Sequence, residues 1–249
     1  MHDAACRCCN GLLRPDMSRS GLGRRTFVGA AFATAALSAA AAFAADPVPK
    51  TTLTPDQALK LLKEGNEEFR TEAPFRAGRD RERRIEIARG QQPFCVLIGC
   101  SDSRVPPELL FGRGLGELFI IRNAGNTIDT VALGSVEYGV GVLGCPLVVV
   151  LGHENCGAVA AAVEVVLKNA TFPGVIGEMI QPILPAVLSV RGKPGDLLDN
   201  AVEANARRVA GRLKSQSLVI QDAVHENRAR VIAARYDLHS GTIDWYEDI

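Results

Sequence analysis

Two apolar runs constrain this chain more than any other feature, because each is too hydrophobic to leave a face in water and each stops abruptly in chemistry-bearing residues. Residues 94–98 (Phe-Cys-Val-Leu-Ile) show no polar alternation, which predicts a central strand of a parallel sheet covered on both faces. Gly99 then lets the chain turn into Cys100-Ser101-Asp102-Ser103-Arg104. A second run, residues 146–151, ends in Gly152-His153-Glu154-Asn155-Cys156-Gly157. Ligands of open α/β sheets gather beyond the carboxyl ends of strands, so two parallel strands would carry Cys100, Asp102, Arg104, His153 and Cys156 to one place.

Two thiolates and an imidazole are a zinc ligand set, and three protein ligands rather than four leave a position for water or substrate, the mark of a catalytic site. Two structural readings compete. Buried Cys residues are common small hydrophobes, and His153 can cap the following helix. A Cys100–Cys156 disulfide is the other, and it leaves His153, Asp102 and Arg104 unexplained.

Cys-Ser-Asp-Ser-Arg at 100–104 together with His-Glu-Asn-Cys-Gly at 153–157 resembles the β-class carbonic anhydrases, whose Cys-x-Asp-x-Arg and His-x-x-Cys motifs bind zinc. Residues 119–126 (Phe-Ile-Ile-Arg-Asn-Ala-Gly-Asn), 135–138 and 236–238 also resemble that family, so the likeness spans about residues 53–245. It implies reversible hydration of carbon dioxide to bicarbonate and a proton by zinc-bound hydroxide, with Cys100, His153 and Cys156 on the metal. Asp102 would orient the hydroxide and Arg104 would hold Asp102 in a bidentate pair; if that pair breaks, Asp102 can occupy the fourth zinc position, and the family shows both states. The same resemblance places Gln91 as an amide donor to substrate oxygen and Phe119 and Tyr138 around the carbon dioxide pocket, although both rings also suit ordinary core packing. Gly157, in the first turn of the next helix, would offer an amide to a bicarbonate oxygen. A homodimer or homotetramer with sites at the subunit interface is implied too. Rival readings are a carbon disulfide or carbonyl sulfide hydrolase on the same scaffold, and a non-catalytic exported zinc-binding protein.

The rest of the pattern predicts an α/β fold, a mostly parallel central sheet with flanking helices and an antiparallel edge strand. Thr54-Pro55-Asp56-Gln57 supplies an N-cap, a proline at the first helical position and a capping-box glutamine, opening a helix to about Arg70. A second helix is expected at about 80–89, a strand at 117–123, a glycine-interrupted helix at about 130–143 whose Gly134, Gly139 and Gly141 call for close backbone packing, and a helix at about 156–168. Residues 174–191 and 196–221 read as mostly helical. Residues 230–236 and 242–245 read as a hairpin at the sheet edge. His225 reads as a surface histidine.

The domain from residue 53 to 249 follows a tether at 45–52 and a leader at 1–44. The leader carries a twin-arginine pattern, Gly23-Arg24-Arg25-Thr26-Phe27-Val28, then an Ala-rich stretch and an Ala42-Phe43-Ala44 cleavage candidate. That predicts export to the periplasm by the twin-arginine route, with no stable membrane span after cleavage, because the stretch is short and rich in alanine rather than leucine. Removing five Arg and two Asp with the leader takes 28 basic and 28 acidic residues to 23 and 26, a net charge of −3, and with acidic residues interleaved in the one basic stretch at 79–84 nothing indicates nucleic-acid binding. Cys6, Cys8 and Cys9 precede the signal, and Met17 is an alternative start that would omit them. Cys95 and Cys145 lie in apolar surroundings and read as core. Passage in a folded, zinc-loaded state would protect Cys100 and Cys156 in an oxidising compartment.

Overall fold

The structure is a computed structural model that describes residues 50–249. The leader, with its three cysteines and Met17, and residues 45–49 lie outside the described residues. Strands β1 (Cys95–Gly99) and β3 (Leu147–His153) are buried at every position, as their unbroken hydrophobicity requires. Strand β2 (Leu118–Arg122) is half-buried at its first four positions and exposed at Arg122, and occupies one edge. Strands β4 (Arg230–Tyr236) and β5 (Ile243–Tyr246) complete a five-stranded sheet in the order β2-β1-β3-β4-β5. All pairings are parallel except β4 with β5, the expected edge hairpin.

This order places a topological switch point between β1 and β3, since the chain leaves β1 toward β2 on one side and returns to β3 on the other. Doubly wound sheets of this order bind their ligands at that point. Gly99 pairs with both Leu151 and Arg122, so the residues after β1 emerge beside the last turn of β3.

Helix α1 (Pro55–Arg70) begins with the predicted capping box, the Gln57 amide donating to the Thr54 hydroxyl at 3.2 Å and the Thr54 amide to the Gln57 side chain at 2.9 Å. Its Ala58, Leu59 and Leu62 join Cys95, Leu97, Val149 and Ile232 in the core on one face of the sheet. Helices α2 (Arg81–Ile87) and α3 (Pro107–Leu110) are short, and α3 was not anticipated. The opposite face is covered by α4 (Thr130–Glu137), α8 (Leu197–Gln216) and α9 (Leu218–His225), packed on Val96, Ile98, Val148, Val150 and Val231. A third cluster, at the carboxyl end, joins Cys100 and Cys156 to α5 (Gly157–Lys168), α7 (Leu184–Val190) and the start of α8. Helix α6 (Ile176–Ile180) leads into it.

The glycine-interrupted segment is only partly the helix that its sequence suggests. It leaves α geometry after Glu137 and continues as a π-turn over Tyr138–Val142. A Cβ on Gly139 would meet Val96 Cγ2 at 2.4 Å, so close packing accounts for that glycine, whereas Gly134 faces open space and has no such reason. The expected 196–221 helix is also broken, at buried Ser217, whose hydroxyl accepts from the Ile220 amide at 3.2 Å and donates to Glu137 at 2.7 Å. That serine caps α9 and ends α8. His225 is exposed at the end of α9, as expected.

Candidate metal centre

Cys100 leaves β1, His153 ends β3 and Cys156 caps α5; their Sγ, imidazole nitrogen and Sγ atoms all lie within 4.8 Å of one another. The two sulfurs are 4.0 Å apart and both cysteines are free, which rules out the disulfide reading. Around a tetrahedral zinc with bonds of about 2.3 Å, two sulfurs stand roughly 3.8 Å apart, so the spacing suits a metal. His153 is fully buried, and its Nδ1–H donates to the Glu154 carbonyl at 2.9 Å. A carbonyl can only accept, so this bond sets the tautomer and leaves Nε2 with a free lone pair. Nε2 has no hydrogen-bond partner among the described residues. His153 is therefore not a helix cap.

The two thiols share their protons unequally. A hydrogen bond from Cys156, helped by the Gly125 amide at 3.3 Å, holds Cys100 down to about 4 against the effect of burial. Cys156 is pushed up by its bond to Cys100 and by burial, while the Val159 and Ala158 amides at the start of α5 pull it the other way. A cation seated here would favour the thiolate at both.

Asp102 and Arg104 form the expected fork, with Nε to Oδ1 at 2.9 Å and Nη2 to Oδ2 at 2.8 Å, and the Arg104 amide adds a bond to Oδ1 at 2.9 Å. These bonds, the side-chain ones first, hold the Asp102 carboxyl well below the usual carboxylate range. Asp102 Oδ2 lies 3.8 Å from His153 Nε2, so the fork aims a fixed carboxylate at the ligand cluster. Arg104 is further anchored on the Asn155 carbonyl at 3.3 Å, which the left-handed backbone of Asn155 presents.

A profile of the carbonic anhydrase family matches residues 95–243. Carbonic anhydrase 2 of Mycobacterium tuberculosis is 37% identical over 75% of this chain and 90% of its own. This chain belongs to the β-carbonic anhydrase family. Among solved structures, the β-carbonic anhydrase CafA of Aspergillus fumigatus is 28% identical, covers 77% of this chain and 90% of its own, and superposes with a TM-score of 0.59. One of two tetrameric β-carbonic anhydrases from Sordaria macrospora is 25% identical, covers 65% of this chain and 84% of its own, with a TM-score of 0.58.

For a β-carbonic anhydrase the donor set is the right chemistry for zinc: two sulfurs, one buried unpartnered imidazole nitrogen, and an oriented carboxylate that is not itself in the ligand cluster. Three further groups that the sequence reading missed hold the site together. Arg122 donates from Nε to the Cys100 carbonyl at 2.9 Å and from Nη2 to the Asp102 carbonyl at 2.6 Å, fixing the loop that presents both. The Gly125 amide bonds Cys100, and the Glu154 carbonyl orients His153. Arg122 could have been found by the signal that found the others, a charged residue closing an apolar strand.

The remaining expected site residues are elsewhere in the chain. Phe119 pairs with Val96, four residues before Cys100, or about 13 Å along the strand. Its ring packs on Tyr138 at 6.0 Å, tilted by 37°. Gln91 is half-buried in the loop that precedes β1. Phe119 and Tyr138 thus sit together toward the amino end of β1 and β2, and Gln91 stands in the loop before β1. Gly157 is the exposed first residue of α5; the amides turned on Cys156 are those of Ala158 and Val159.

Proposed function

We propose that this carbonic anhydrase is a zinc enzyme that hydrates carbon dioxide reversibly to bicarbonate and a proton, using Cys100, His153 and Cys156 to hold the metal. The observation that carries this reading is the convergence of those three side chains beside an Asp102 carboxylate locked by Arg104. Zinc supplies a Lewis acid that makes water nucleophilic at neutral pH. The chain supplies the rest. Asp102, kept ionised by the guanidinium fork, is an acceptor that orients the attacking water toward carbon. The His153 tautomer keeps Nε2 available, and the α5 amides favour negative charge on Cys156.

Gln91, Phe119 and Tyr138 complete the site from the partner protomer of a homodimer. The position of Phe119 on the half-buried edge strand β2, with Tyr138 against its ring, and the Sordaria tetramers support that arrangement. Mixing Gln91→Ala and Cys100→Ser proteins tests it: subunit exchange should restore activity that neither parent has. The twin-arginine pattern supports export to the periplasm, and N-terminal sequencing of the periplasmic protein should begin at Ala45.

Stopped-flow carbon dioxide hydration with a zinc count, on the parent protein and Asp102→Ala, tests the reaction. Fast, zinc-dependent turnover that collapses in the variant is expected. A zinc-loaded protein inert to carbon dioxide but active on carbonyl sulfide or carbon disulfide would overturn it.

A further inference from the structure

Helix α8 lays an otherwise apolar face on the sheet: its buried residues are Ala201, Val202, Ala206, Val209, Ala210, Leu213 and Asn205. Asn205 is 1% exposed, and it is the one polar side chain in that row. Its Nδ2 donates to the Gly125 carbonyl at 2.8 Å, while its Oδ1 is buried without a partner among the described residues. Its unpaired amide oxygen carries a burial cost that an apolar side chain of the same size would avoid, so what the residue provides is the bond to the Gly125 carbonyl.

What Asn205 holds is the pivot of the metal centre. Gly125 sits at φ 71, in the left-handed region, and a Cβ there would lie 2.7 Å from Ile183 Cδ1. Glycine rotates freely about both backbone bonds, so its conformation must be imposed from outside. The Gly125 amide donates to Cys100 Sγ at 3.3 Å, and its carbonyl accepts from Asn205, so the two bonds grip the glycine from opposite sides. We infer that Asn205, eighty residues along the chain from Gly125, is a positioning residue for the metal: by pinning the Gly125 carbonyl it keeps the neighbouring amide directed at the Cys100 sulfur.

This inference rests on the zinc reading above, but its test reads metal binding rather than turnover. Full-length Asn205→Leu and Asn205→Asp proteins, the second keeping the shape while losing the donor, are compared with the parent by zinc competition against a chromogenic chelator. The near-ultraviolet thiolate-to-metal band is then recorded after cobalt(II) substitution. Asn66→Leu is the control, since Asn66 is also buried and also donates to backbone carbonyls, those of Gly241 and Leu110. The expected result is zinc bound about tenfold or more weakly in both Asn205 variants, in the range seen when outer hydrogen bonds to metal ligands are removed, together with a shifted cobalt band. Asn66→Leu should lose thermal stability without either change. Affinity within about twofold of the parent and an unmoved band in whichever Asn205 variant folds would overturn the inference. A parent protein that takes up neither metal would overturn the zinc reading, and this inference with it.

Discussion

One cysteine opens β1 and another follows its last residue, five residues apart, and they behave oppositely. Cys95 opens the strand, fully buried, and its thiol is pushed well above the ordinary value by burial and then by nearby Cys145. Cys145 itself is pushed up to about 12 by burial. Cys100, also buried at 5% exposure, is held down to about 4. The difference lies in what the sulfurs face. Cys95 and Cys145 donate to the carbonyls of Val96 and Pro93, acceptors that favour the neutral thiol, whereas Cys100 meets the Cys156 thiol and the Gly125 amide. Burial alone makes a thiol inert; donors turned on it make it a ligand.

The largest expected effect separates those ends directly. Cys100→Ala should lose zinc and at least about a thousandfold in kcat/KM, because a two-ligand remnant is not a zinc site. Cys95→Ala should keep zinc and activity and lose about 1–2 kcal/mol of stability by denaturant unfolding. Loss of zinc from both would erase the contrast. Next comes Asp102→Asn, expected to lower kcat/KM about a hundredfold or more with zinc content unchanged. Arg104→Lys should do so more mildly, since an ammonium cannot make the fork.

The contrast sharpens when the metal is stripped. After chelation near neutral pH, alkylation followed by peptide mapping should label Cys100 first and leave Cys95 and Cys145 unlabelled until denaturant is added. Labelling of all four at one rate would show that the fold does not distinguish them. At the amino end, Gly139→Ala must displace Val96 and should cost about 1–3 kcal/mol.

The smallest effect is a pH-dependent one on the β4–β5 hairpin. His239 is raised above 6.5 by its hydrogen bond with Glu154 and by the charges of Glu154 and Asp237. A raised folded value means that its contribution is fully present below 6.5 and disappears as pH rises through the raised value. His239→Gln should therefore lower Tm slightly at about pH 5.5 and not at about pH 9. A deficit that grew with pH would contradict the assignment.

Much of this was legible along the chain because the relevant signals are local. A short apolar run without alternation, rich in β-branched residues, suits a strand covered on both faces, and β1 and β3 are buried throughout. A Thr-Pro-x-Gln sequence satisfies its own helix end, and Thr54 and Gln57 do so. The Asp102–Arg104 fork spans two residues and needs no distant partner. The break at Ser217 was not legible, because it depends on Glu137, which the fold brings from eighty residues away.

By itself, then, the sequence determined which residues end the two central strands, and with them the Cys100–His153–Cys156 cluster, the fork and the family. Only the tertiary structure decided that Phe119 lies about 13 Å back along the sheet from Cys100, with Tyr138 against its ring. It also decided that Arg122, Gly125 and Asn205 brace them. The physical reason is reach: periodicity and capping report interactions within a few residues, whereas strand register and the packing of α8 join groups that sequence leaves far apart.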